Sequence, residues 1–104
     1  MDIQPIIEQV RRGLHYWRQH AMQRSIERGI MVEEATEALC NGEIIEAYPE
    51  DKYGPSCLVL GRTSAGRRLH VQCSLPPTVW IITLYAPDPE AWIDFRIRRG
   101  RTNP

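Results

Sequence analysis

Residues 56–74, "SCLVLGRTSAGRRLHVQCS", contain two apolar runs separated by a short segment of turn-forming residues. In the second run the apolar Leu69 and Val71 flank the polar His70, which is the period-two pattern of a half-buried strand. The connecting residues 63–66, "TSAG", are typical of a hairpin turn. The stretch therefore predicts two antiparallel strands. These strands cover residues 56–62 and 67–74.

Further strands and helices are predicted around this hairpin. The apolar patterns of residues 43–48, "EIIEAY", and 78–85, "TVWIITLY", predict one strand before it and one after it. Upstream, apolar residues recur at helical spacing and glycines end the candidate helices, over residues 5–12, 16–28 and about 32–40. Because helices precede strands, the sequence predicts an α+β fold. Two to three N-terminal helices would pack on one face of a roughly four-stranded, mostly antiparallel sheet.

The chain of 104 residues is long enough for one modest hydrophobic core. We therefore expect a single α+β domain over residues 1–95. Residues 96–104 contain four arginines and are predicted to form a basic, disordered tail. Two roles are open for this tail: it contacts RNA or an acidic partner, or it only keeps the terminus soluble.

The charge balance and the cysteines limit the class of protein. The chain has 13 Lys and Arg and 13 Asp and Glu, so binding of nucleic acid or membrane over the whole surface is not expected. A local basic patch is compatible with this balance. The three cysteines are odd in number and widely spaced, which predicts reduced thiols. With no signal-peptide pattern and no run of about 20 apolar residues, we expect a cytoplasmic protein without a membrane partner.

The segment "HAMQRSIERGI", residues 20–30, places His20, Arg24 and Arg28 on one side of a predicted helix, within an arc of roughly 80°. Three interpretations are open. The row is a solvated helix face with an ion pair to Glu27, an anion site, or a buried Arg–Glu link to the sheet. In the second interpretation, Arg24 and Arg28 bind phosphate.

His70 and Tyr85 are the other candidates for chemistry. Strand alternation turns His70 away from the core, where it is either a hydrogen-bonded structural residue or a general acid or base. Tyr85 ends the last predicted strand, where its hydroxyl could donate to a phosphate or the ring could border the core. Together with His20, these two residues form the candidate catalytic set.

Metal-ligating patterns are absent from the sequence. His70 and Cys73 lie three apart on a predicted strand and therefore point to opposite faces. His15 and His20 lie five apart, which is the wrong spacing for one helix face. No P-loop and no G-x-S-x-G motif occurs. We expect neither a metal nor a cofactor.

Four segments together resemble an uncharacterised prokaryotic domain family of unknown function. Its pattern begins H-A-x-x-R and R-G-I, continues through an L-H-V strand, and ends with T-x-Y. The matching segments are "HAMQRSIERGI" (20–30), "EEATEALCNGEIIEAYPEDKYGPSCLVLG" (33–61), "GRRLHV" (66–71) and "IITLYAPDPEAW" (81–92). The resemblance covers about residues 16–92, and Ser25, Ile26 and Met31 depart from the pattern.

In layout, members of that family resemble the RelE/BrnT-like toxins of toxin–antitoxin systems. The resemblance implies a metal-independent endoribonuclease, in which the 2′-OH of the RNA attacks the adjacent phosphate, and a zinc-finger antitoxin as partner. Arg24 and Arg28 would then hold the phosphate, with His20 and His70 as acid and base and Tyr85 assisting. The alternative function is a non-catalytic protein-interaction module that binds a partner through an exposed helix face or sheet edge.

Overall fold

The computed structural model of the protein describes residues 1–52 and 54–100. Within these residues the chain forms three helices, α1 (Gln4–Arg11), α2 (Gln19–Glu27) and α3 (Val32–Cys40). The strands of the described residues are β1 (His15–Trp17), β2 (Glu43–Tyr48), β3 (Ser56–Arg62), β4 (Arg68–Ser74), β5 (Val79–Tyr85), β6 (Trp92–Ile93) and β7 (Ile97–Arg98).

The first five strands form one sheet in the order β1-β5-β4-β3-β2. Strands β2 to β5 pair antiparallel, and β1 runs parallel to β5 at the edge. The hairpin predicted over residues 56–74 is present, with Ser56 opposite Ser74 and Arg62 opposite Arg68. The predicted α+β fold is therefore confirmed. The described part of this sheet has one strand more than expected.

The additional strand is β1, which lies partly where the sequence predicts the second helix. β1 pairs with the start of β5, and the backbone N–H of Arg18 extends this pairing by donating to the carbonyl of Ile81 at 3.0 Å. The helix begins only at Gln19. The prediction of a helix from residue 16 is wrong because pairing with an open sheet edge determined the backbone there. Local periodicity does not report such a tertiary contact.

The end of α2 follows the prediction. Gly29 has φ +64°, the left-handed conformation expected of the residue after a helix. Its N–H donates to the carbonyl of Ile26 at 3.3 Å, and the N–H of Ile30 donates to the carbonyl of Ser25 at 2.8 Å. This pair of hydrogen bonds is a Schellman motif, which closes the helix and turns the chain toward α3.

The helices pack on one face of the sheet, where the hydrophobic core lies. One close approach is at Gly61 in β3, where an added Cβ would lie 1.8 Å from the carbonyl oxygen of Ala38 in α3. Only glycine allows α3 to rest directly on β3 at this point. Buried side chains of this core include Ile6, Val10, Ala35, Leu39, Val59, Val71, Ile81 and Leu84.

The opposite face of the sheet is partly covered by the hairpin of β6 and β7, and we call it the hairpin face. Trp92 of β6 is 5% exposed. The sequence predicts a disordered tail from residue 96, whereas the structure pairs Ile97 with Ile93 and joins Arg98 to Glu46 in β2. Residues 101–104, the end of the predicted tail, lie outside the described residues.

The described residues contain no helix that is both long and apolar enough to cross a membrane. All three cysteines are free thiols, with Cys57 and Cys73 buried in the core and Cys40 partly exposed. This arrangement agrees with the reduced thiols predicted from their number and spacing.

Candidate functional site

His70 and Tyr85 are neighbours on the hairpin face. They lie directly opposite each other on the antiparallel strands β4 and β5. His70 points to the hairpin face because Leu69 and Val71, on either side of it, are buried in the core beneath the helices. Two of the predicted catalytic residues are therefore in contact, as members of one cross-strand pair.

The hydrogen bonds of His70 determine its tautomer. Nε2 lies 2.6 Å from the backbone carbonyl of Phe95, and Nδ1 lies 3.3 Å from the hydroxyl of Tyr85. Since a carbonyl only accepts, Nε2 carries the proton. In the neutral ring Nδ1 is then an acceptor, and the hydroxyl of Tyr85 donates to it. The oxygen of Tyr85 can therefore still accept a hydrogen bond from another partner.

Burial favours the uncharged form of both groups of this pair. His70 is 0% exposed, and burial lowers its pKa below the ordinary 6.5, although the Phe95 carbonyl and the charge of Glu46 act in the opposite direction. Burial also raises the pKa of Tyr85. Tyr85 is nevertheless only partly buried, so part of this residue is accessible from solvent.

The turn between β6 and β7 supplies the partner of His70. Asp94 and Phe95 both have left-handed backbone conformations, with φ +51° and +61°. An aromatic residue rarely adopts this conformation, which costs on the order of 1 kcal/mol. The N–H of Arg96 donates to the carbonyl of Ile93 at 2.9 Å and closes the turn. The turn thereby directs the Phe95 carbonyl at the imidazole.

Aromatic and ionic contacts hold this hairpin on the sheet. The ring of Trp92 meets the imidazole of His70 edge-on, with centroids 4.4 Å apart. The Arg98 guanidinium lies 4.7 Å from the centre of the Trp92 ring, and its Nε donates to both carboxylate oxygens of Glu46 at 3.0 and 3.2 Å. Tyr48 donates to the same carboxylate, and burial, followed by this carboxylate, raises the pKa of Tyr48 to about 12.

Arg28 lies at the end of α2 and reaches the edge of the sheet beside Tyr85. Its Nη1 donates to the backbone carbonyl of Leu84 at 2.7 Å. Its positive charge is close enough to favour the ionised form of Tyr85, although burial has the larger effect on that pKa. Arg28 as a whole is exposed to solvent.

His20 and Arg24 are not part of this cluster. Arg24 forms an exposed ion pair with Glu27 at 3.0 Å, which is the contact expected of a solvated helix face. His20 is exposed in the first turn of α2. It precedes Arg28 by eight residues, or about 12 Å along the helix axis. Of the five predicted site residues, the structure brings together His70, Tyr85 and Arg28.

Four residues of the cluster were missed from the sequence: Glu46, Trp92, Phe95 and Arg98. Three of them lie in the C-terminal hairpin, 22 to 28 residues after His70. Neither spacing nor periodicity relates residues so far apart, and the residues that precede the hairpin, "APDPE", read only as a loop. Among the described residues, no group of three or more His, Cys, Asp or Glu is placed to hold a metal ion.

The fold and the cluster together define a small α+β domain with a pair of a buried His70 and a partly buried Tyr85 on the sheet face opposite its helices. The chain belongs to the family described as a domain of unknown function, DUF4258, whose model matches residues 17–86, about two thirds of the chain. The matched region contains all five predicted site residues, whereas the β6–β7 hairpin lies beyond it. Neither the curated proteins nor the solved structures contain a match to the chain.

Proposed function

We propose that the protein is a RelE/BrnT-like toxin that cleaves RNA without a metal ion, in the cytoplasm, under the control of a zinc-finger antitoxin. The observation that carries this proposal is the hydrogen bond between the hydroxyl of the partly exposed Tyr85 and Nδ1 of His70, beside the Arg28 guanidinium. RNA carries its own nucleophile, the 2′-OH. The enzyme therefore has to move protons and stabilise negative charge.

The Tyr85–His70 pair is suited to accept the proton of the nucleophile. The 2′-oxygen forms a bond to phosphorus while its proton moves to the Tyr85 oxygen and the proton of Tyr85 moves to Nδ1 of His70. The bond from phosphorus to the 5′-oxygen breaks, this oxygen takes a proton from water, and a 2′,3′-cyclic phosphate remains. The proton on Nδ1 of His70 then returns to the Tyr85 oxygen, whose own proton neutralises the hydroxide left by the water, so that the pair is neutral again. The Phe95 carbonyl and the nearby charge of Glu46 favour the protonated imidazole that forms.

Arg28 would stabilise the charge that develops on the phosphate. Its hydrogen bond to the Leu84 carbonyl fixes the guanidinium one residue from Tyr85, and a guanidinium matches the geometry of two phosphate oxygens. In this proposal His70 acts through Tyr85 and is a positioning and proton-accepting residue. His20 and Arg24 take no part in the chemical step, and Arg24 contributes at most a contact with the RNA.

Inducible expression in bacteria tests the proposal. Growth and transcript integrity would be followed for the wild type, Tyr85→Phe and the matched control Tyr16→Phe, a tyrosine that is 53% exposed on β1. We expect growth arrest and fragmented transcripts for the wild type and Tyr16→Phe, and neither for Tyr85→Phe. Intact transcripts during expression of soluble wild-type protein would contradict the proposal.

A second candidate function, a non-catalytic interaction module, has one observation in its favour. Ile26 is 76% exposed and Met22 is 37% exposed, and they lie one turn apart on α2. The chemistry fits a partner helix that carries apolar side chains, such as a segment of the antitoxin. Ile26→Asp should abolish capture of the antitoxin encoded beside this chain, and unchanged capture would contradict this assignment.

A further inference from the structure

A concave site lies at the end of β3 and β4, beside the turn that connects them. It is a cavity of about 530 Å³, and arginines from three segments of the chain line it. These are Arg62, Arg68 and Arg96, and we call the cavity the arginine pocket. No step of the proposed reaction uses these residues.

Arg62 and Arg68 are directly opposite each other on neighbouring strands. Both point to the hairpin face, because a Cβ at Gly61 would meet α3 and Leu69 is buried in the core. Like charges placed directly opposite on antiparallel strands destabilise a sheet. An anion between the two guanidinium groups would remove this repulsion.

The charges that line the pocket leave an excess of two positive charges. Arg96 pairs with Glu43, the one carboxylate among the described lining residues. The Arg68 guanidinium lies 4.7 Å from the centre of the Phe95 ring, a contact that orients it without neutralising it. Glu37 approaches the turn from the side of the helices and accepts a hydrogen bond from the N–H of Ser64.

The arginine pocket adjoins the Tyr85–His70 pair. Arg68 precedes His70 by two residues on the same strand and the same face, a distance of about 7 Å along the strand. Phe95 contacts both residues, since its ring lies under Arg68 and its carbonyl accepts from His70. A nucleotide strand whose reacting phosphate is at Tyr85 would carry a neighbouring phosphate to this pocket.

We propose that the arginine pocket binds a phosphate group of an RNA strand, adjacent to the phosphate at Tyr85. The identity of the strand as RNA rests on the proposed function, whereas the preference for a phosphate follows from the guanidinium groups. The pocket would hold the strand in register, so that the 2′-OH of one nucleotide lies at the Tyr85 hydroxyl.

Binding of an uncleavable oligonucleotide tests this inference. Fluorescence anisotropy with a labelled 2′-O-methyl RNA would compare the wild type with Arg62→Gln and Arg68→Gln over a range of salt concentrations. Each substitution should weaken binding. It should also lower the slope of log binding constant against log salt concentration by about 1, as expected for the loss of one phosphate contact. The matched control is Arg12→Gln, an exposed arginine after α1, which should keep the slope of the wild type.

Thermal unfolding separates lost binding from lost folding. Without ligand, Arg62→Gln should melt at the same temperature as the wild type or higher, because the repulsion with Arg68 is removed. Binding affinities and slopes equal to those of Arg12→Gln would overturn the inference. If inorganic phosphate raises the melting temperature of the wild type and the oligonucleotide does not bind, the assignment to an RNA strand is overturned. The pocket would then bind a small phosphorylated ligand.

The outcomes for the pocket and for catalysis are independent. If the wild type binds the oligonucleotide through the pocket and cleaves no RNA, the proposed function fails and the phosphate site stands. If RNA is cleaved and the Arg62→Gln and Arg68→Gln variants bind and cleave as the wild type does, the phosphate site fails and the proposed function stands.

Discussion

The imidazole of His70 donates from Nε2 to the backbone carbonyl of Phe95 at 2.6 Å, and this contact joins the central strand β4 to the C-terminal hairpin. It fixes the neutral tautomer of the ring and leaves Nδ1 free to accept from Tyr85. A single side chain therefore links the position of the hairpin to the protonation of the tyrosine that we place at the centre of the site.

Replacement of His70 by leucine should destabilise the fold. The change removes two hydrogen bonds and leaves the Phe95 carbonyl and the Tyr85 hydroxyl without this partner, at a cost of roughly 2–4 kcal/mol in the free energy of unfolding. Denaturant titration measures this cost. The control is His20→Leu at an exposed position, with an expected change of about 0.5 kcal/mol or less. Equal stability of the two variants would contradict the buried hydrogen bonds.

Stability should fall as the pH drops below about 6.5. Burial lowers the pKa of His70 and of His15 in the folded state, so the unfolded chain binds more protons in the region below the ordinary value of 6.5. The free energy of unfolding then decreases toward acid pH, by at most about 1.4 kcal/mol per pH unit for each histidine. The loss levels off once the folded-state histidines are protonated as well.

Denaturant titrations between about pH 5 and pH 8 check this sign for the wild type and His70→Gln. The two proteins are compared in the slope of the free energy of unfolding against pH. The difference between these slopes isolates His70 from His15 and from the carboxylates, which titrate at lower pH. Identical slopes for the two proteins would show that His70 has the same pKa in the folded and unfolded states.

The ion pair between Arg98 and Glu46 should hold the hairpin on the sheet. Glu46 is 13% exposed and Arg98 40% exposed, so solvent screens the pair in part and we expect Glu46→Gln to cost only about 1 kcal/mol. Hydrogen exchange should accelerate at the amides of β6 and β7. A double-mutant cycle with Arg98→Gln should be non-additive. Additive effects and unchanged exchange would indicate that the pair does not anchor the hairpin.

Gly61→Ala should destabilise the packing of α3 on β3. Since the added methyl would lie 1.8 Å from the Ala38 carbonyl oxygen, the helix has to move, at a cost of about 1–3 kcal/mol. Thermal unfolding compares this variant with Ser64→Ala, an exposed change in the following turn with little expected effect. Wild-type stability for Gly61→Ala would be incompatible with the close contact.

Local patterns were sufficient to predict most of the fold. The alternation around His70 predicted the β3–β4 hairpin, and Gly29 marked the end of α2. The short strand β1 was missed because only its pairing with β5 makes it a strand. Residues 96–100 were predicted to be part of a basic tail because no local pattern reveals their ion pairs. These ion pairs, to Glu43 and Glu46, connect segments more than 50 residues apart.

The site was only partly predictable for the same reason. Helical periodicity groups His20, Arg24 and Arg28 on one side of α2, but it does not predict the tertiary contacts of each residue. Arg28 contacts the sheet edge because it lies at the end of the helix that faces Leu84, whereas His20 lies two turns away in solvent. Strand alternation placed His70 on the correct face, but the hairpin that buries it has no local signal.

Cleavage of a labelled RNA oligonucleotide by the purified chain, in the presence of a metal chelator, tests the central claim most directly. We predict products that end in a 2′,3′-cyclic phosphate, no cleavage at a 2′-deoxy nucleotide, and a rate for Tyr85→Phe at least about a hundredfold lower. No cleavage by the folded wild type, or the same rate for Tyr85→Phe, would contradict the role of the Tyr85–His70 pair in catalysis.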